Sequence, residues 1–314
     1  MTTLEIEQAE YSLNFRAMNT EIEMIIYGKD DTEETRHKLE QAGGQVSLLF
    51  SQTEERLSRF RPESELSRLN QTGHLTEASP LLFESIQAAL EMAALTGGIF
   101  DPTILENLEQ AGYDRSFELL VAQTYSRVAT FPLWPMDKRY LDIKLEVSNQ
   151  SITLPAGVRV DLGGIGKGMT VDRASRLLEE MGFEDFVVSA GGDMFVSGHP
   201  PLAPEGWTVA VTNPLNSEST LTEIMAQNQA VATSSVIKRR WQQGGQIRHH
   251  LIDPRTGKPV VNNLAAVTVC APTTRLADVL AKTALILGPT EGKAFIQKQP
   301  ECSAIFVTMN QEII

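Results

Sequence analysis

The chain has 314 residues, 42% of them hydrophobic and 21% charged, a balance that suits a folded globule and excludes a disordered chain. Its formal net charge of −13 excludes a general binder of nucleic acid or of anionic membrane, which needs a basic footprint, but leaves room for a local basic pocket that takes a pyrophosphate. Two cysteines, Cys270 and Cys302, are too few for a disulfide framework or a four-ligand zinc site and read as reduced structural thiols.

The first ten residues carry acids where a signal peptide carries bases, and no apolar core or lipobox cysteine follows. No run approaches the roughly 20 apolar residues of a membrane helix, so the expectation is a cytoplasmic protein with no membrane insertion. From Thr20 to Tyr27, Ile22, Met24 and Ile26 alternate with Glu21 and Glu23, which predicts a half-buried strand ending at Gly28. Glu33 to Arg59 is helical in composition, with an interruption expected at Gly43-Gly44. Ser79 as N-cap and Pro80 as first helical residue predict a helix through Leu95, closed by Gly97-Gly98. Residues 113 to 150, with Phe131, Pro132, Trp134, Pro135 and Tyr140, lack clean periodicity and read as a variable connection or a mobile cover.

The stretch from Val160 to Ala174 breaks this ordinary pattern. Apolar residues lead to Asp161, then Gly163, Gly164, Gly166 and Gly168 surround Lys167, and a helical pattern follows through Val171, Ala174, Leu177 or Leu178 and Met181, with Gly182 as its stop. Glycines let a backbone approach an anion, a helix N-terminus adds the positive end of its dipole, and Lys167 adds a full charge, so the stretch reads as a phosphate grip. It is neither the phosphate loop of ATPases, whose required glycine and Ser/Thr places hold Asp161 and Gly168, nor a dinucleotide fingerprint, since the last glycine falls at 168 instead of 169. The alternative is a glycine-rich structural turn with a surface lysine.

Beyond it, short apolar segments recur at Phe186–Ser189, Met194–Val196, Trp207–Val211, Ala230–Thr233, His249–Ile252, Ala265–Cys270 and Ala304–Val307. Turn residues separate them, among them Asn213-Pro214, Gly244-Gly245, Asp253-Pro254 and Thr256-Gly257. Helices at about 170–181, 275–287 and 290–298 interrupt this sheet-rich half, so the fold class is α+β and not regular βαβ winding. On a strand, His249 and His250 point to opposite faces, so only one enters a given site. Either could be a proton acceptor or a histidine bonded to a nearby carbonyl. Asp278 falls on a helix with Leu276, Val279, Leu280 and Leu287 on its apolar positions, as a site carboxylate or a surface acid.

The run Asp161-Leu162-Gly163-Gly164-Ile165-Gly166-Lys167-Gly168 resembles the signature of the ApbE family, the FAD-dependent protein flavin transferases. Six further blocks match in the family's order: Phe15 to Thr20; Leu57 to Pro62 with Glu65 to Asn70; Gly97 to Thr103; Ala190 to Asp193; His250 to Gly257; and Ala277 to Leu280. The resemblance implies an ApbE-like α+β fold of mixed sheets with flanking helices, a single domain over residues 1–314, and an FAD site in a cleft between an N-terminal helical and strand part and the sheet-rich C-terminal part. It implies a magnesium-dependent enzyme that moves FMN from FAD to a Thr or Ser hydroxyl of an acceptor flavoprotein subunit or domain displaying a Thr-containing motif, releasing AMP. His250 and Lys167 carry over as catalytic. Met18, Phe60, Phe100, Asp101, Gly163, Lys167, Met169, Asp172 and Ile252 carry over as flavin contacts, and Gly166 (through its carbonyl) and Asp278 as metal ligands. The chain departs from the pattern at Lys282, where a threonine ligand is expected, at Gly166 for alanine, at Phe60 and Met169 for tyrosine, and at Asn19 for glycine. Two other readings stay open: a flavin-binding protein that has lost transfer, and a metal-dependent FAD pyrophosphatase yielding FMN and AMP.

Overall fold

The alternation at Ile22, Met24 and Ile26 builds the second strand of a seven-stranded sheet. In the computed structural model, which describes residues 8–121, 137–243 and 245–314, this sheet comprises β1 (Glu10–Ala17), β2 (Thr20–Tyr27), β3 (Phe186–Ala190), β4 (Asp193–Ser197), β5 (Gln229–Ser235), β6 (Leu264–Ala271) and β7 (Ser303–Thr308). The strands lie side by side in chain order, each pair of neighbours antiparallel. The α+β expectation therefore holds, with residues 28–185 inserted between two adjacent strands.

One face of the sheet is covered by helices. Ile22, Met24, Ile26, Phe186 and Val188 pack with Leu39, Val46 and Phe50 of α1 (Glu33–Leu57) and with Val171, Ala174 and Leu178 of the later helix Gly166–Glu180. Ala230, Ala232, Val267 and Val269 meet Ala277, Leu280, Ala281 and Ala284 of the helix Thr274–Ile296. Because strand side chains alternate, Ile25, Tyr27, Val187, Val196 and Val231 project from the opposite face, where the hairpin Trp207–Asn213 and Asn216–Ala226 covers them. The inserted residues add α2 (Glu65–Thr72) and α3 (Pro80–Leu95), whose Leu66, Leu69, Leu82 and Ile86 form a second core with Ile152, Val160, Leu162 and Val279. The helices Gly166–Glu180 and Thr274–Ile296 are called α4 and α5 below.

Helix α3 has the expected Ser79 cap, which accepts the N–H of Leu82 at 3.2 Å. Four expectations need correction. Helix α1 is not interrupted at Gly43-Gly44, because Gly43 is where the helix lies against Tyr11, and a Cβ there would come 2.5 Å from its ring. Helix α4 starts at Gly166, inside the glycine run, with the Gly166 N–H on the Leu162 carbonyl at 2.7 Å. His249 to Ile252 is not one strand: Gln246–His249 pairs with Arg240–Gln243, the chain leaves that ladder at His250, and Ile252–Asp253 pairs with Lys258–Pro259. Residues 113–121 and 137–150 are not a loose connection, since Tyr113, Leu120, Tyr140 and Ile143 are buried; residues 122–136, with Phe131 and Trp134, lie outside the described residues, as does Gly244. The break expected between two C-terminal helices falls at Gly288, whose φ of 82° kinks α5 just before Pro289. Among the described residues no helix is long and apolar enough to cross a membrane.

Candidate active site

Three backbone turns meet at one end of the sheet. Ala17 pairs with Thr20 across Met18-Asn19, and Ala190 pairs with Asp193 across Gly191-Gly192. All four turn residues have positive φ, the two-residue hairpin geometry that matches the right-handed twist of the strands. Asn tolerates that conformation and Met does not, so Met18 is held there at a cost of about 1 kcal/mol, with its N–H on Glu54 Oε2 at 2.8 Å. The third turn is the glycine run, which delivers the chain into α4. Its N-cap, Ile165, provides no side-chain cap, leaving the helix N-terminus suited to an anion.

Around these turns opens a cleft whose lining includes Met18, Phe60, Phe100, Asp101, Gly163, Gly166, Lys167, His250, Ile252 and Asp278 from the sequence reading. Two expected contacts are absent from it. About 100° of helix rotation per residue carries Met169 and Asp172 away from Lys167. Met169 packs in the core beside Leu162 and Val279, and Asp172 accepts the N–H groups of Thr274 at 2.6 Å and Arg275 at 3.0 Å, capping α5. In place of a flavin contact, Asp172 is thus a clamp between α4 and α5.

One wall is aromatic. Arg59, only 6% exposed, pairs with Asp161 at 3.1 Å, donates to the Tyr113 carbonyl at 2.8 Å, and stacks its guanidinium 4.1 Å from the Phe60 centroid and 4.9 Å from that of Tyr113. Tyr113 in turn stacks on Trp241. Arg59 ties the residue that opens the glycine run to the ring wall, a role that a sequence with two ordinary charged residues a hundred positions apart does not announce.

Another part of the lining is charged. Lys167 pairs with Asp193, and its Nζ lies 3.9 Å from Asp278 Oδ2; Asp193 also accepts the Thr233 N–H at 3.3 Å. Burial pulls the Lys167 ammonium down to about 8, with Asp278 acting against it, while Lys282, Arg239 and Lys238 push it further down. Asp193, Lys238 and Arg239 join the residues that the resemblance implies; the double glycine before Asp193 and the run of bases at 238–240 are their signals in the sequence.

The two adjacent histidines have different surroundings. His249 is fixed between the Val260 carbonyl, 2.9 Å from Nε2, and the Leu251 N–H, which donates to Nδ1 at 3.3 Å. His250 faces the cleft, and its Nδ1 is buried without a protein partner. Burial first, then the nearby cations Arg239 and Lys282, hold its imidazole well below the ordinary histidine range, so it is neutral at physiological pH. Two more cleft atoms share this condition: Asp278 Oδ2 and Asp101 Oδ2 are buried with no hydrogen-bond partner, the latter in a carboxyl that burial pushes up despite the Thr103 N–H and hydroxyl on its other oxygen. Folded proteins seldom leave such atoms unpaired, and here three of them face one cleft.

On this antiparallel α+β scaffold, a lysine, carboxylates and a neutral imidazole converge beside a helix N-terminus. The chain belongs to the ApbE family, whose sequence model matches residues 18–306. It is similar to the FAD:protein FMN transferase of Haemophilus influenzae, at 27% identity over 85% of this chain and 78% of that one. A Klebsiella pneumoniae protein of the same name is 26% identical over 97% of this chain and 91% of its own. Among solved structures, the ApbE protein of Thermotoga maritima superposes with a TM-score of 0.81 at 24% identity, covering 98% of this chain and 96% of that one. The flavin transferase ApbE of Vibrio cholerae gives 0.78 at 21% identity, with the same coverage. At these identities the superpositions speak for the fold alone.

Proposed function

We propose that this chain is an FAD:protein FMN transferase, with FAD as donor and a Thr or Ser hydroxyl of another protein as acceptor. The observation that carries the reading is the meeting of Lys167 in one cleft with an Asp278 oxygen and a neutral His250 nitrogen that both lack a hydrogen-bond partner. Phe60, Phe100, Met18 and Ile252 offer flat and soft apolar contacts for an isoalloxazine ring, and Lys167 and the start of α4 suit the pyrophosphate. His250 takes the proton of the acceptor hydroxyl as its oxygen attacks the FMN phosphorus. The bond between that phosphorus and the bridging oxygen breaks, and AMP leaves with the bridging oxygen and its electron pair. Lys167 offsets the charge that grows on the phosphoryl oxygens.

A divalent cation fits this donor set through Asp278, because magnesium is commonly held by one or two carboxylates, with phosphate oxygens and water completing its shell. The Asp278 Oδ2 atom is a hard, buried donor without a hydrogen-bond partner. The Gly166 carbonyl is a poorer candidate than the sequence suggests, since it already accepts the Thr170 hydroxyl at 2.7 Å. Thr283, the nearest threonine on α5, spends its hydroxyl on the Val279 carbonyl. Such an ion would supply charge neutralisation on the pyrophosphate.

Incubating the purified protein with FAD, magnesium and a candidate acceptor, followed by intact mass measurement, tests the reading. An acceptor heavier by one FMN is the expected outcome. FMN and AMP without an adduct would make the chain a pyrophosphatase, and intact FAD a flavin binder.

A further inference from the structure

The cleft contains another lysine, Lys282, that the transfer chemistry leaves without a task. Lys282 sits one helical turn after Asp278 on α5, and its ammonium bonds Asp278 Oδ1 and reaches the Asp278 carbonyl at 3.5 Å. Pairs with this spacing are common on exposed helix faces and count for little there. Here the two side chains are only 14% and 2% exposed. The lysine stem reaches the cleft past Gly164, where a Cβ would stand 3.6 Å from Lys282 Cε and 3.1 Å from the Phe100 ring. One Asp278 oxygen is therefore occupied by a tethered cation, and the other faces the Lys167 ammonium at 3.9 Å. Lys167 has a second acid in Asp193, whereas Asp278 is the only carboxylate paired with Lys282 among the described residues.

We propose that Lys282 is a tethered competitor for the cation site at Asp278, displaced by the substrate's pyrophosphate. In the free protein two ammonium groups flank a single carboxylate, so an incoming divalent ion meets repulsion and a half-occupied ligand and binds weakly. A pyrophosphate in the cleft gives the Lys282 ammonium a second anionic partner, which releases Asp278 Oδ1 and adds phosphate oxygens of its own. Dinucleotide and metal then enter as coupled ligands, each raising the affinity for the other, as linkage requires. The inference rests on the proposed assignment of Asp278 as the cation's carboxylate and deepens it: Lys282 sets the order of loading and keeps the free protein from holding metal.

The test uses Mn2+ as the probe on nucleotide-free protein, with free ion read from its electron paramagnetic resonance signal, and FAD affinity in EDTA read from flavin fluorescence. Removing the ammonium in Lys282→Met is expected to tighten Mn2+ binding about tenfold or more, within the usual range of such couplings, and to weaken metal-free FAD binding by a similar factor. Lys282→Gln, which keeps a hydrogen-bond donor for Asp278 without the charge, should move both quantities in the same directions and covers the case in which the methionine variant folds poorly. Adding Asp278→Asn to either variant should remove the tightened site. An Asp278-dependent Mn2+ site of equal affinity with and without Lys282 overturns the competitor role alone. If no Mn2+ binding depends on Asp278 in any background, the metal assignment and the competitor role fall together.

Discussion

His250 differs from its neighbour in what it lacks. The ring of His249 is consumed by two backbone contacts, whereas His250 keeps a buried nitrogen free at the cleft. Replacing His250 with alanine should leave FAD binding intact and slow transfer by roughly 100-fold or more, the scale of a lost positioned base. Intact mass kinetics on the acceptor, with FAD affinity measured alongside, would check this, and unchanged turnover in a folded variant would remove His250 from the chemistry. The pH dependence follows from the same surroundings. A base held below its ordinary range stays neutral, and so able to accept a proton, until the pH drops through the lowered value. The transfer rate should therefore show no loss centred on the usual histidine pKa of about 6.5, only a fall at more acidic pH. A midpoint at the ordinary value would mean that His250 is not desolvated in the working enzyme.

At the scale of elements, the contact between α4 and α5 brings Lys167 and Asp278 together. Gly168 is a point of close approach: a Cβ there would lie 2.8 Å from the Arg275 backbone and the Thr274 carbonyl, and no side-chain rotation relieves that overlap. The Asp172 carboxylate, one turn further on, secures the same junction by capping α5. Gly168→Ala should destabilise the fold by about 1–3 kcal/mol through overpacking and slow transfer by separating the two charged groups. Gly44→Ala is the matched control, because that exposed helical position has open space for a methyl group and the change should stabilise by up to about 1 kcal/mol. Denaturant unfolding of both variants tests the pair, and equal stability for the two would show that α4 and α5 can separate freely.

For the molecule as a whole, the net charge of −13 and the cations gathered in the cleft oppose each other. Lys167, Lys282, Lys238 and Arg239 line the site together with acids such as Asp193 and Asp278, so a dinucleotide's phosphates meet a local group of cations there although the protein is acidic overall. FAD affinity should consequently fall about tenfold or more as salt is raised from roughly 50 to 500 mM, because screening weakens the local attraction more than the distant repulsion. Titration by flavin fluorescence at several salt concentrations would show this, and affinity rising with salt would mean that the global charge governs binding.

Local rules in the sequence determined much of this protein. The polar–apolar alternation of β2, the Ser79 cap of α3, the break at Gly288 and the glycine run entering α4 all follow from side-chain periodicity and backbone freedom, which act over a few residues. Matching motifs along the chain gathered most of the cleft's lining in advance. The tertiary structure decided what depends on long-range neighbours. Gly43 stays helical because Tyr11 fills the space beside it, and Met169 and Asp172 leave the site because α4 starts two residues before the glycine run ends. Arg59 and Asp161 become partners only when α1 and the glycine run converge. Lys282 shows the limit most clearly: its spacing from Asp278 is legible in sequence, but a solvated surface pair and a buried competitor for a metal ion have the same spacing. Burial separates them, and burial is a property of the assembled chain.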